Sequence, residues 1–267
     1  MKNNKKTDIM TTSILTADDP APVSVINRSA LQRSPFLLIC DHASNVIPQS
    51  LEQLGLNDTR VLKEHVAIDI GARDITAYLA EKMDAPAVVA GFSRLVIDVN
   101  RDPDHDKSIP AISDNIHVPG NHSLNAQDSN ARISEIYAPY HRCITECIDT
   151  IKTRNVTPFV ISIHSFTPEM KGEERLTDIG VLWDSNREIA QKMIADLRHH
   201  HKDMTIGSND PYSFLDAPEL NHTLHKHGIN QQENYLLLEF RQDLVDTKEK
   251  AEKMAEIFLS SLNRVLN

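Results

Sequence analysis

Phe36-Leu37-Leu38-Ile39-Cys40 runs straight into Asp41-His42-Ala43-Ser44-Asn45, an unbroken apolar stretch followed at once by a mostly polar one. A continuous apolar run this short is the mark of a strand buried on both faces. The same pattern recurs at Phe159–Ile163, closed by His164, and at Tyr235–Leu238, closed by Glu239. Ile179–Trp183, Ala87–Ala90 and Leu95–Val99 read as further strands. Between them lie stretches with apolar residues three and four apart, the spacing of one helix face. Glu64–Met83 carries Ile68, Ala72, Ile75, Leu79 and Met83 in this way, and the last helix carries Ala251, Met254, Phe258, Leu262 and Val265. Ser129–Thr153 and Asn186–His199 are also read as helices, the first kinked or interrupted at Pro139. Strands alternating with helices predict an α/β fold: three layers, a mostly parallel sheet with helices on both faces.

Composition narrows the function classes. The chain has 267 residues and a formal net charge of -10, which argues against nucleic-acid and anionic-membrane partners because both need a basic face. No apolar stretch approaches the roughly 18 residues of a membrane span. Cys40, Cys143 and Cys147 are too few and too odd in number for a disulfide framework, so a reduced, cytoplasmic protein is expected. Residues 1–30 are polar and aperiodic and read as a mobile tail, leaving 31–267 as a single domain. Residues 102–127 form a loop longer than connectors usually are, as a substrate loop would be.

The chemistry gathers where the strands stop. Open α/β sheets bind ligands beyond the carboxyl ends of their strands, and here those ends deliver His42, His164 and Glu239. Neutral imidazole is a good zinc ligand, and a catalytic zinc takes three protein ligands while keeping one position open. Asn100-Arg101 follows Leu95–Val99 and offers an amide and a planar fork of donors, suited to a carboxylate. Arg94 is a candidate pocket cation. So is Arg241, two residues beyond Glu239 and therefore on the same strand face. His227, beside Gly228, is a candidate pocket residue, whereas His141 is read as a buried hydrogen-bonding group. There is no Gly-x-Ser-x-Gly elbow and no phosphate-binding glycine loop.

Six segments taken in order resemble the N-formylglutamate amidohydrolase family. They are Asp41–Asn45, His65–Ala72, Ser93–Pro103, Pro139-Tyr140-His141, Ile163–Phe166 and Leu238–Leu244. The resemblance runs from about Phe36 to the end of the chain and extends to zinc carboxypeptidases and aspartoacylase-type enzymes. It implies a phosphorylase/hydrolase-like (zinc exopeptidase-like) fold, one zinc per chain, and hydrolysis of a small anionic N-acyl amino acid by metal-activated water. Position by position it implies His42 and His164 as metal ligands, Glu239 as general base, and Asn100 with Arg101 as the grip on a substrate carboxylate. It also brings Asn45 and Ser165 into the expected substrate site. The third ligand stays open. Related enzymes use a Glu three residues after the first His, but Asn45 stands there, so Asp69 is the choice and Glu64 the fallback.

The departures bear on substrate. Asp41-His42-Ala43-Ser44 replaces the usual Pro-His-Ser-Gly turn. Asn209-Asp210-Pro211-Tyr212-Ser213 and His222–Gly228 stand in place of a glycine- and arginine-rich stretch. The chain therefore reads as a compact side branch. Two alternatives remain open at this point: a metallo-exopeptidase or peptidoglycan amidase on the same scaffold, and a non-catalytic carboxylate-binding protein.

Overall fold

The structure, a computed structural model, describes residues 13–184, 187–213, 221–229 and 234–267. Its centre is a seven-stranded sheet in the order β1-β3-β2-β6-β11-β9-β10. These strands are β1 Val23–Ile26, β2 Phe36–Cys40, β3 Ala87–Ala90, β6 Phe159–Phe166, β9 Ile179–Leu182, β10 Ile206–Ser208 and β11 Asn234–Arg241. The four middle strands, β3, β2, β6 and β11, run parallel. β1 pairs antiparallel with β3 at one edge; towards the other, β9 pairs antiparallel with β11 and parallel with the edge strand β10. Two short hairpins lie apart from the sheet: β4 Ile112–Ser113 with β5 Ile116–His117, and β7 Glu169–Met170 with β8 Glu173–Glu174.

Alternation along the strands divides the core in two. Leu38, Cys40, Val89, Ile161 and Leu238 face a layer of α1 Ala72–Lys82, α4 Arg187–His200 and α6 Lys248–Leu266. Leu37, Ile39, Val88, Val160 and Leu237 face α2 Ala126–Arg132, α3 Ala138–Lys152 and the long loops. Each such leucine or valine removed from water contributes roughly 1.5–3 kcal/mol, which is why the apolar runs sit in the middle strands. The expected mostly parallel sheet with helices on both faces is the fold observed.

Four details differ from the sequence reading. Residues 1–12 of the expected tail lie outside the described residues, but from Ser13 onward the chain is built into the domain. Ile14 is buried, the amides of Ile14 and Leu15 donate to the Glu135 carboxylate, and Val23–Ile26 is an edge strand. The helix expected over 64–83 begins only at Ala72, because Gly71 takes φ +77° at its N-cap and breaks the path before it. The helix expected over 129–153 starts earlier, at Ala126, and its backbone stays right-handed helical into α3, with a π-helical turn at Ile133–Tyr137 interrupting the regular pattern just before Pro139.

Leu95–Val99 is the largest departure, for it is not a strand. Its carbonyls are satisfied by side chains instead of a neighbouring strand. Asn121 Nδ2 donates to Leu95 O at 2.8 Å, buried Arg132 to Val96 O at 2.8 Å, and His141 Nε2 to Val99 O at 2.9 Å. The apolar residues are buried as expected, but periodicity cannot say which groups fill the backbone's hydrogen bonds. Among the described residues no helix is long and apolar enough to cross a membrane, and the cysteines are free thiols.

Candidate functional site

β6 and β11 are register partners over their whole length, and this sets His164 directly beside Glu239. His42 comes from the turn after β2. Asp69 comes from the turn before α1, held there by its own amide, which donates to the His42 carbonyl at 3.1 Å. Buried His42, Asp69 and His164 form a group whose ligand atoms all lie within 4.8 Å of one another. His42 Nδ1 and His164 Nδ1 stand 3.2 and 2.9 Å from the same oxygen, Asp69 Oδ2.

The far nitrogen of each ring meets a second carboxylate. His42 Nε2 is 2.8 Å from Asp98 Oδ1, and His164 Nε2 is 3.2 Å from Asp41 Oδ2. Asp41 is oriented in turn by Tyr140, whose hydroxyl donates to Oδ1 at 2.7 Å. Arg94 bridges the carboxylates, with Nη2 2.9 Å from Asp98 and Nη1 3.4 Å from Asp69. Carboxylates behind imidazoles fix ring orientation and raise basicity at the inner nitrogen, the arrangement found around metal-ligating histidines.

The protonation pattern matches a site built for positive charge. Burial alone would push Asp41, Asp69 and Asp98 up, yet the neighbouring imidazoles, with Tyr140 at Asp41 and Arg94 at Asp98, hold all three below the usual carboxylate range. Burial lowers His42 and His164, and Arg94 lowers His42 further, but the carboxylates on both sides of each ring outweigh this and raise them. Glu239 behaves differently. Burial pushes its carboxyl up to about 7, and its Oε2, like Asp41 Oδ2 and His164 Nε2, is buried with no hydrogen-bond partner among the described residues. An unpaired carboxyl beside two imidazoles and a carboxylate that converge on one point is what a divalent cation would complete.

These groups line a cavity of about 350 Å³, together with Arg94, Asn100, Arg101, Ser165 and Tyr212. The β4–β5 hairpin contributes Ile112, Ser113 and Asp114 to the rim, and Lys107 and Lys171 add positive charge there. Asn100 Oδ1 accepts from the Thr223 amide at 2.9 Å, and Arg101 Nη1 donates to the Asn100 carbonyl at 2.8 Å. Ser165 Oγ donates to Ile70 O at 2.7 Å, and its amide points at Asp69 Oδ2.

Three expected pocket residues are not on its wall. Arg241 is held by Asp178 and Asp243, at 3.0 and 2.7 Å. The two-residue strand period gives its place along β11 but is blind to the acids that engage it. Asn45 donates to Leu62 O at 2.7 Å and ties the turn after β2 to its neighbour. His227 stacks on His141 with ring centroids 5.1 Å apart, its Nε2 2.8 Å from His141 Nδ1, behind the Val99 carbonyl that His141 holds. Burial lowers these two histidines to about 4 and 3, so the pair is neutral. Glu64, the fallback ligand, is exposed. Sequence reasoning missed Asp41 and Asp98 as partners of the imidazoles, and it missed Tyr212. The available signal was their place inside the quoted segments, but an acid's burial is invisible there.

Fold and site together describe an α/β protein with a buried centre that could bind a metal ion. Residues 34–245 match the family model described as N-formylglutamate amidohydrolase, and the chain belongs to that family. A solved gene product of Agrobacterium tumefaciens is 33% identical over 95% of this chain and 98% of its own, with a TM-score of 0.88. N-formylglutamate amidohydrolase from Ralstonia eutropha is 18% identical over 92% of this chain and 98% of its own, with a TM-score of 0.64, a likeness of fold. No curated protein matches the sequence.

Proposed function

We propose that the protein is a zinc-dependent amidohydrolase that cleaves the amide bond of a small N-acyl amino acid, N-formylglutamate being the family's namesake. The observation that carries this reading is the double shell of His42 and His164. Both inner nitrogens meet at Asp69 Oδ2, both outer nitrogens lie against carboxylates, and an unpaired Glu239 carboxyl stands alongside. His42 Nδ1, His164 Nδ1 and Asp69 Oδ2 would hold the ion, and two nitrogens with one oxygen suit zinc. Bound there, it would supply a Lewis acid that polarises the amide carbonyl and acidifies water.

The protein's own groups do the rest. Glu239 takes a proton from the attacking water and returns it to the leaving nitrogen, a double task that suits a carboxyl poised at about 7. Arg94, on the pocket wall, adds positive charge beside the reacting carbonyl. Asn100 and Arg101 receive the amino acid's carboxylate, and Lys107 and Lys171 at the rim favour anionic substrates.

The test is metal content by elemental analysis together with hydrolysis of N-formyl and N-acetyl amino acids, set beside dipeptides and muropeptides. About one zinc per chain and turnover of an N-acyl amino acid are expected. No metal after reconstitution, or turnover of peptides alone, would refute the reading.

A further inference from the structure

Tyr212 lines the same cavity as Glu239 and Arg94, and the mechanism above leaves it unused. The turn that carries it is seated on the sheet beside the base. Asn209 Oδ1 accepts from the Trp183 amide at 2.8 Å and its Nδ2 donates to the Trp183 carbonyl at 2.9 Å, continuing the pairing just past the end of β9. The Asp210 carbonyl packs onto Gly180, where an added Cβ would lie 2.3 Å from that oxygen and 3.4 Å from Glu239 Cβ. Gly180 is itself the register partner of Glu239. The absence of a side chain at 180 therefore lets the Tyr212 turn close down against β9, the strand beside the one that holds the base.

Arg175 sets the phenol. Its Nη1 donates to Tyr212 Oη at 3.0 Å, and its guanidinium lies 4.9 Å from the Tyr212 ring centroid and 5.7 Å from that of Phe166. With the oxygen accepting from Arg175, no acceptor among the described residues takes the phenol's own hydrogen. A charge-assisted bond to the oxygen also polarises the O–H and strengthens it as a donor. Arg241 finds its use here: besides gripping Asp178 it donates to the carbonyls of Arg175 and Leu176, at 3.3 and 3.2 Å, and so braces the segment that presents Arg175.

We propose that Tyr212 contacts the substrate, donating its phenol hydrogen to the acyl oxygen of an amide held between Arg94 and Glu239, with Arg175 as the positioning residue that aims it. The inference rests on the amide-hydrolysis reading. The bond strengthens as negative charge builds on that oxygen, which is where a fixed donor accelerates a reaction. No proton is transferred: burial and the nearby Glu239 keep the phenol's pKa above its ordinary value.

The experiment compares wild type, Tyr212→Phe, Arg175→Met, Arg175→Lys and the Tyr212→Phe/Arg175→Met double variant, all checked for metal content. Turnover of an N-formyl amino acid is measured, and so is calorimetric binding of a phosphonamidate that replaces the amide. Removing one such donor is expected to lower kcat by about 10- to 1000-fold in Tyr212→Phe with KM nearly unchanged, and to weaken the phosphonamidate by at least tenfold. Arg175→Met should show a smaller kcat loss, Arg175→Lys should recover part of it, and the double variant should be no worse than Tyr212→Phe. A Tyr212→Phe protein within twofold of wild type in both readouts overturns the proposal, as does a double variant whose losses multiply. Wild type that neither turns over the substrate nor binds the analogue overturns the amidohydrolase reading, and this inference with it.

Discussion

His164 and Glu239 are register partners on adjacent parallel strands, so an imidazole and an acid from positions 75 residues apart stand side by side at one level of the sheet. Beside His164, Glu239 Oε2 is buried without a hydrogen bond among the described residues, while His164 Nδ1 is 2.9 Å from Asp69 and His164 Nε2, 3.2 Å from Asp41 Oδ2, is likewise without one. Glu239→Gln keeps shape and burial but cannot accept the proton. Its turnover should fall by about a hundredfold or more while metal content stays at the wild-type level. Unchanged kcat in that variant would remove Glu239 from the mechanism.

His42→Ala, Asp69→Ala and His164→Ala each take one atom from a group whose ligand atoms lie within 4.8 Å of one another. All three should purify without stoichiometric metal, as read by elemental analysis. Retention of one equivalent by any of them would exclude that residue as a ligand.

Asp98 and Asp41 act one layer further out, on His42 Nε2 and His164 Nε2. Asp98→Asn and Asp41→Asn should each bind metal about 10- to 100-fold more weakly, measured by competition with a chelator. Equal affinity would reduce these acids to packing.

Protons and metal should compete. Burial and Arg94 depress His42, and burial depresses His164, but Asp98, Asp69 and Asp41 raise both pKa values above the unfolded value. This contribution is fully present below the unfolded pKa of about 6.5 and is lost as pH rises through the raised folded values. Glu239, raised by burial to about 7 from an ordinary 4.5, shifts stability in the same direction between those two values. Metal-free protein should therefore melt at lower temperature as pH rises from 6 to 9. Metal affinity should climb over the same range, with proton release seen by calorimetry in buffers of different ionisation enthalpy. A pH-independent affinity would contradict this.

Gly71 sits two residues after Asp69 with φ +77°, and a Cβ there would lie 2.1 Å from the Val245 carbonyl. Gly71→Ala should cost about 1–3 kcal/mol from the backbone alone and lower the melting temperature by several degrees. Because Gly71 closes the turn that presents Asp69, metal affinity should fall with it. A variant as stable as wild type would show that the turn relaxes freely.

Much of this protein is legible in its residues. The runs Phe36–Cys40, Phe159–Ile163 and Tyr235–Leu238 are each bounded by the polar residue they deliver, so strand identity, the parallel core and the candidate residues His42, His164 and Glu239 can be read from local pattern. Burial on both faces requires an unbroken apolar run, whereas a strand with one face in water would place a polar residue at every second position. What only the tertiary structure decided is partnership. Leu95–Val99 has a strand's composition yet is held by Asn121, Arg132 and His141, and Arg241 has a pocket residue's position yet answers to Asp178. Asp41 and Asp98 gain their place behind the imidazoles only because β2, β6 and the loop after β3 meet at the carboxyl end of the parallel strands. A chain's periodicity records which side chains leave water, since that depends on each residue's own surface. Which polar groups then meet depends on contacts between segments far apart in sequence, and no local pattern carries that information.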